Sequence, residues 1–252
     1  MSSTTKRRAC PNCGPKNKPL SVTTDARGTV SYCHRCHYTE AQNHISAMGT
    51  LVAPKAYRPW RDLAAHLWDT SEPLVGSIAE TYLRRRGCCL PPADGDLRFL
   101  PARGDFSAAM LARITDVFSA EPISLHFTRL NPDGTKTADT PKRLLAGHRK
   151  TGGVVRLWPD ECVTTGLAIG EGIETCLAGA HGFTPIWCTV DAGNMAAFPV
   201  LAGIAALTIF ADNDEAGRSA ASTCAERWAR VAEVTIVTPD EPGFDIADVI
   251  AA

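Results

Sequence analysis

Residues 206–218 read ALTIFADNDEAGR. A short apolar run stops on two aspartates, Asp212 and Asp214, and the chain continues as EAGRSAASTCAERWARV (215–231), whose composition suits a helix. Runs of this length and composition are those of strands buried on both faces. The same grammar recurs on either side. LAIG (167–170) precedes GIETCLAGAH (172–181), PIWCTV (185–190) precedes a looser NMAAFPVLAG (194–203), and VTIV (234–237) closes the series. Strands alternating with helices predict a doubly wound, mainly parallel sheet over 161–252.

In such a sheet the carboxyl ends of the strands gather at one edge, where ligands bind. Glu171 follows LAIG, Asp212 and Asp214 follow LTIFA, and Asp245 and Asp248 follow VTIV and the loop TPDEPGF (238–244). Acids far apart in sequence are thus expected to converge. No Lys or Arg occurs between 157 and 217, so these carboxylates repel one another unless a divalent cation binds among them. Oxygen donors with room for water and phosphate suit Mg²⁺ or Mn²⁺. Taken singly, each acid has a plainer reading: Asp214 or Asn213 caps the helix starting at Glu215, and Glu174 completes a helical first turn, which makes it the weaker catalytic candidate.

The amino-terminal end carries a different metal signal. Cys10-Pro-Asn-Cys13 and Cys33-His-Arg-Cys36 lie 19 residues apart. Each C-x-x-C aims two thiolates at one ion, and two such turns complete a tetrahedral S₄ zinc site whose closed shell is structural. His34 and His37 are alternative ligands for a Cys₃His set. LSVTT and TVSYC alternate on either side of DARG, a turn-like tetrapeptide. Basic residues (Lys6, Arg7, Arg8, Lys16, Lys18, Arg27, Arg35) outnumber the acids Asp25 and Glu40, and Tyr32 and Tyr38 offer stacking surfaces for unpaired bases.

The domain division expected is a zinc ribbon over 1–45, a linker over 46–62, a mixed α+β region over 63–160 and the α/β region over 161–252. In the middle region DLAAHLWDT and IAETYLRRRG suit helices, and ISLHFTRL followed by NPDG suits a strand entering a hairpin turn. The formal net charge of −1 conceals a strong asymmetry: residues 1–160 carry 23 Lys/Arg against 14 Asp/Glu, a net +9, and residues 161–252 carry three Arg against 13 acids, a net −10. That front half suits a polyanion. No apolar run approaches the length of a membrane span and no secretory signal opens the chain. A cytoplasmic protein with reduced thiols is expected.

Several of these stretches together resemble the Toprim primases of plasmids and phages. GEGIETCLA (170–178) resembles the first Toprim motif, FADNDEAGR (210–218) its D-x-D motif, and GFDIADVI (243–250) the later acidic motif. CPNC with PLSVTT…TVSYCHRC resembles the primase zinc ribbon, and TPKRLLAGHRKTGG (140–153) the basic stretch ahead of the core. The resemblance implies a DNA primase making short RNA primers on single-stranded DNA. Glu171 would act near the 3′-oxygen as general acid/base, and Asp212 and Asp214 would hold Mg²⁺, with Asp245 sharing a second ion. Lys142, Arg143 and Lys150 would meet phosphates of the nucleotide or template. Expected partners are single-stranded DNA, nucleoside triphosphates and a separately encoded replicative helicase, because no G-x-x-x-x-G-K-[ST] occurs. Four Cys, without a His, depart from the usual ligands of the bacterial replicative enzymes. The alternatives are a Toprim nuclease using the same acids, and a non-catalytic single-stranded DNA-binding module.

Overall fold

The computed structural model describes residues 4–14, 20–25, 28–33, 38–43, 57–60, 63–104 and 106–251. They divide into two compact units, Met1–Ala56 and Tyr57–Ala252.

The first unit is an antiparallel sheet of β1 (Thr4–Arg8), β2 (Leu20–Asp25), β3 (Gly28–Cys33) and β4 (Thr39–Asn43), in that order. The β2–β3 ladder runs from Leu20↔Cys33 to Asp25↔Gly28, so the chain reverses at the DARG stretch. Among the described residues its buried apolar cluster is only Cys10, Leu20 and Cys33, with Cys13, Val22 and Tyr38 packed against it. A cluster of this size suits a small segment held by a metal cross-link.

The second unit begins with two helices, α1 (Leu63–Asp69) and α2 (Ile78–Arg85). Ser77 starts α2, its hydroxyl accepting from the Ala79 and Glu80 amides. Five strands follow: β5 (Leu97–Leu100), β6 (Ala109–Asp116), β7 (Pro122–Arg129), β8 (Lys142–Leu144) and β9 (Gly153–Arg156). The NPDG turn after β7 closes with the Gly134 amide donating to Asn131 O at 2.9 Å, and β8 returns beside β7. β6 is covered on both faces. Leu111 packs with Ala64 and Trp68 of α1, whereas Met110, Ala112 and Ile114 join the cluster that includes Leu83 of α2.

The remainder alternates strand and helix: β10 (Gly166–Gly170), α3 (Ile173–Gly179), β11 (Ile186–Cys188), α4 (Ala192–Ala197), β12 (Ala206–Phe210), α5 (Glu215–Trp228), β13 (Glu233–Val237) and α6 (Ile246–Ala251). β10 pairs parallel with β11 and β12, and β12 parallel with β13. Side chains alternate between faces. Leu167, Ile169, Leu207 and Ile209 pack with Met195 of α4 and Trp228 of α5, while Ala168, Ile186 and Phe210 pack with Cys176 and Leu177 of α3 and Ala247 of α6. Trp228 stacks on Phe198, ring centroids 5.8 Å apart, and each such fully buried side chain contributes on the order of 2 kcal/mol. β9 pairs antiparallel with both β6 and β11, so one nine-stranded sheet, ordered β13-β12-β10-β11-β9-β6-β7-β8 with β5 also on β6, crosses the expected division at residue 160. The fold of this unit is mixed α+β, with its parallel strands at the carboxyl-terminal end.

Candidate active site and metal centre

In the first unit the sulfurs of Cys10, Cys13 and Cys33 all lie within 4.8 Å of one another, with Cys13 and Cys33 Sγ 3.8 Å apart. Four sulfurs at a Zn–S distance of about 2.3 Å sit about 3.8 Å apart in a tetrahedron, so the spacing fits zinc. The turn that aims the first pair needs Gly14. Its φ is +76°, and its amide donates to Cys10 O at 2.9 Å. Cys36, the expected fourth ligand, lies outside the described residues, as do His34 and His37.

In the second unit the acids stand where the strands end. Glu171 follows β10 and is half-buried. Its carboxyl is pushed up to about 7, first by burial and then by Asp212, with smaller pushes from Asp214 and Asp191; a hydrogen bond from the Ala192 amide opposes them. Asp212, two residues beyond β12, is raised to about 6 by burial and by Asp245, while a hydrogen bond from Thr175 Oγ1 (3.3 Å) and the charge of Lys142 pull it back. Asp212 therefore lies within electrostatic reach of Glu171, Asp214 and Asp245, through the convergence of β10, β12 and the loop after β13.

Asp214 does what the plainer reading of it anticipated. Its Oδ1 accepts from the Gly217 amide at 2.7 Å, capping α5. The Ala-Gly pair of the D-x-D stretch has a steric cause here: a Cβ on Gly217 would stand 2.5 Å from Asp212 O, so only glycine lets α5 start this close to the acidic turn. Asn213 fastens the loop that carries the last acid. Its side-chain amide donates to Pro239 O (2.9 Å), and its backbone exchanges hydrogen bonds with Gly243 and Phe244. Asp245 caps α6 by accepting from the Asp248 amide at 2.8 Å, and Arg86 lies 3.7 Å from Asp245 and 2.9 Å from Asp248.

The basic residues named from sequence part company. Lys142 Nζ stands 3.1 Å from Glu174 Oε2 and lines a small cleft with Glu171, His126 and Cys188. Lys150 pairs with Asp191 at 2.6 Å, and Asp191 caps α4, the helix whose Ala192 amide serves Glu171. Arg143 instead lines a groove of ≈ 860 Å³ with Leu67, Phe106 and Arg129, a groove whose lining includes neither Lys142 nor any of the acids. Sequence reasoning passed over Asp191, Thr175 and Arg86, and ranked Glu174 low. Their signal lies in partners far along the chain, which no local motif displays.

A metal is tested by these donors. Glu171 and Asp212, two half-buried carboxylates raised by burial and by neighbouring acids, have no ion-pair partner among the described residues, and such an all-oxygen pair fits a hard divalent cation. The acids do not form a closed cage: among the described residues, the only group of three or more candidate ligands mutually within 4.8 Å is the cysteine cluster.

A family model described as "Toprim domain" matches residues 166–252, the whole stretch that carries these acids. That stretch is similar to the Toprim domain. A model described as a domain of unknown function (DUF7146) matches residues 58–157 ahead of it. No curated protein matches the chain. Among solved structures, the chain is similar to a DNA primase domain from Pseudomonas aeruginosa at 14% identity, covering 71% of this chain and 58% of that one, with a TM-score of 0.39. It is also similar to the primase fragment of the bacteriophage T7 primase-helicase protein at 15% identity, covering 97% of this chain and 93% of that one, with a TM-score of 0.44. No helix among the described residues is long and apolar enough to cross a membrane.

Proposed function

We propose that this protein is a DNA primase, joining ribonucleotides on a single-stranded DNA template by metal-dependent nucleotidyl transfer. The observation that carries the reading is the acidic edge, where Glu171 at about 7 and Asp212 at about 6 stand together with Lys142 close by. Asp212, and Asp214 through the oxygen not used in capping α5, would hold Mg²⁺ or Mn²⁺, with Asp245 sharing a second ion. Such a cation supplies Lewis-acid stabilisation of phosphoryl oxygens and of the leaving pyrophosphate.

The chain's own residues do the rest. A carboxyl poised near neutrality exchanges a proton at physiological pH, which suits Glu171 to accept the proton of the attacking 3′-hydroxyl. The Ala192 amide orients that carboxylate. Lys142 and Lys150 would neutralise triphosphate oxygens, and Arg143 the template backbone on its separate groove. A structural zinc on Cys10, Cys13, Cys33 and Cys36 would hold the amino-terminal sheet, whose exposed β1 carries Lys6, Arg7 and Arg8. Single-stranded DNA would meet the basic front half, and a replicative helicase would be a separate partner.

The test is direct. The full chain, given single-stranded DNA, ribonucleoside triphosphates and Mg²⁺ or Mn²⁺, is expected to make short RNA with release of pyrophosphate. Degradation of the template without nucleotides, with no RNA at any metal concentration, would replace this reading with a nuclease.

A further inference from the structure

Glu174 is the most deeply buried acid near the site. It is 2% exposed and lies in the first turn of α3, three residues after Glu171. Three groups from separate parts of the chain converge on it. Tyr82 of α2 donates its hydroxyl to Oε1 at 2.6 Å, Lys136 Nζ lies 2.9 Å from Oε1, and Lys142 Nζ of β8 lies 3.1 Å from Oε2. Lys136 also stands over the Tyr82 ring, 5.5 Å from its centroid.

The asymmetry of exposure is informative. Beside a carboxylate that is 2% exposed, the side chains of Lys136 and Lys142 remain 31% and 47% exposed. A buried ion pair rarely outdoes a well-packed apolar group as a source of stability, and one carboxylate leaves two ammonium groups with a net positive charge. The arrangement anchors two cations from beneath while their outer surface stays open. Lys142 opens into the cleft that Glu171 lines, and its charge reaches Asp212.

We propose that Glu174 is a positioning residue, holding the ammonium groups of Lys136 and Lys142 at the acidic edge so that they receive the triphosphate of an incoming nucleotide beside Glu171. The proposal rests on the nucleotidyl-transfer reading above and adds to it two residues, Glu174 and Lys136. Lysine is a flexible point charge with costly rotamer freedom. Fixing two of them before substrate arrives removes that ordering cost from binding. Glu174 touches no substrate itself. A purely structural tether would need neither the second lysine nor its open face.

The experiment is equilibrium calorimetry on the full chain with Mg²⁺, comparing a non-hydrolysable ribonucleoside triphosphate with the matching monophosphate. Glu174→Gln keeps the size of the side chain and removes the charge. It is expected to weaken triphosphate binding by about tenfold or more, the scale of a charge-assisted hydrogen bond, and to leave monophosphate binding unchanged. Should Glu174→Gln fail to fold, Tyr82→Phe removes one hydrogen bond with little change in packing and is expected to shift triphosphate affinity in the same direction by a smaller factor. Lys136→Gln is expected to weaken triphosphate binding selectively as well. Unchanged triphosphate affinity in a folded Glu174→Gln protein, or equal losses for triphosphate and monophosphate, would overturn the proposal. A wild-type chain that binds no triphosphate at all would instead bring down the nucleotidyl-transfer reading, and this inference with it.

Discussion

Glu171 and Glu174 are the same residue type, one turn of chain apart, and their surroundings drive them in opposite directions. Around Glu171 stand Asp212, Asp214 and Asp191, and together with burial they raise its carboxyl to about 7. Glu174 is buried more deeply, which by itself would raise it further, yet Lys142, Lys136 and the Tyr82 hydroxyl outweigh burial and hold it below the usual carboxylate range. Burial pushes both carboxyls up; the acids around Glu171 add to that push, and the cations around Glu174 reverse it. One carboxylate is left short of a counter-charge and the other is fully compensated. The first kind invites a cation, and the second organises cations already present.

Removing one charge from each separates the two regions most sharply. Glu171→Gln is expected to lower kcat by about 10²- to 10⁴-fold, the range for losing a general acid/base, while metal-free thermal stability at pH 8 stays level or rises because a repulsive charge has gone. Glu174→Gln leaves two lysines and a buried amide without their partner charge, and is expected to cost about 3 kcal/mol of stability. Thermal denaturation of both variants beside the wild type reads the contrast. Equal destabilisation would show that the two glutamates do not differ as described.

The pH dependence of the metal-free protein follows with a smaller effect. A carboxyl whose folded value lies above its unfolded value of 4.5 makes folding less favourable as pH rises from about 4.5 through about 7. Glu171 and Asp212 thus predict stability declining between about pH 5 and 7.5, and recovery on adding Mg²⁺. Glu174, held low, works the other way: its contribution is complete above 4.5 and is lost as pH falls below that. Chemical denaturation at fixed pH values checks both limbs. A metal-free profile flat from pH 5 to 8 would contradict the acidic edge.

The smallest effect expected on either glutamate comes from zinc. The cysteine cluster belongs to a separate compact unit. Chelation or Cys33→Ser is expected to unfold the amino-terminal sheet, seen as lost strand signal in far-UV circular dichroism, while the melting of Tyr57–Ala252 moves little. Elemental analysis is expected to give one zinc per chain, and a zinc content undiminished in Cys33→Ser would refute the ligand set.

How far the sequence showed all this depended on whether the physics was local. The runs behind β10 and β12 stood out because strands covered by helices on both faces are apolar throughout, and Asp212 and Glu171 stood out because they follow such runs; VTIV reads the same way, although β13 is an edge strand with Ile236 exposed. β6 was not singled out. It is covered on both faces, so AMLARITD lacks the alternation that marks a half-exposed strand, and its partners β5 and β9 are four residues each. Arg143 and Lys142 are neighbours in the chain, and only the strand they occupy separates the groove of one from the acidic cleft of the other. Glu174 looked like an ordinary first-turn acid because the groups that define it, Lys142 and Tyr82, lie 32 and 92 residues away.

The central claim is that Glu171 and Asp212, which no ion pair compensates among the described residues, draw a divalent cation to this acidic edge. Its most direct test is a Mn²⁺ titration of the full chain by calorimetry at pH 6.5, in two buffers of different ionisation enthalpy, for the wild type and for Asp212→Asn/Asp214→Asn. The expected result is Mn²⁺ binding by the wild type with release of protons, since Glu171 is partly protonated at that pH, and binding at this edge lost in the double variant while its fold persists. Equal Mn²⁺ binding in both proteins, or binding to neither, would contradict it.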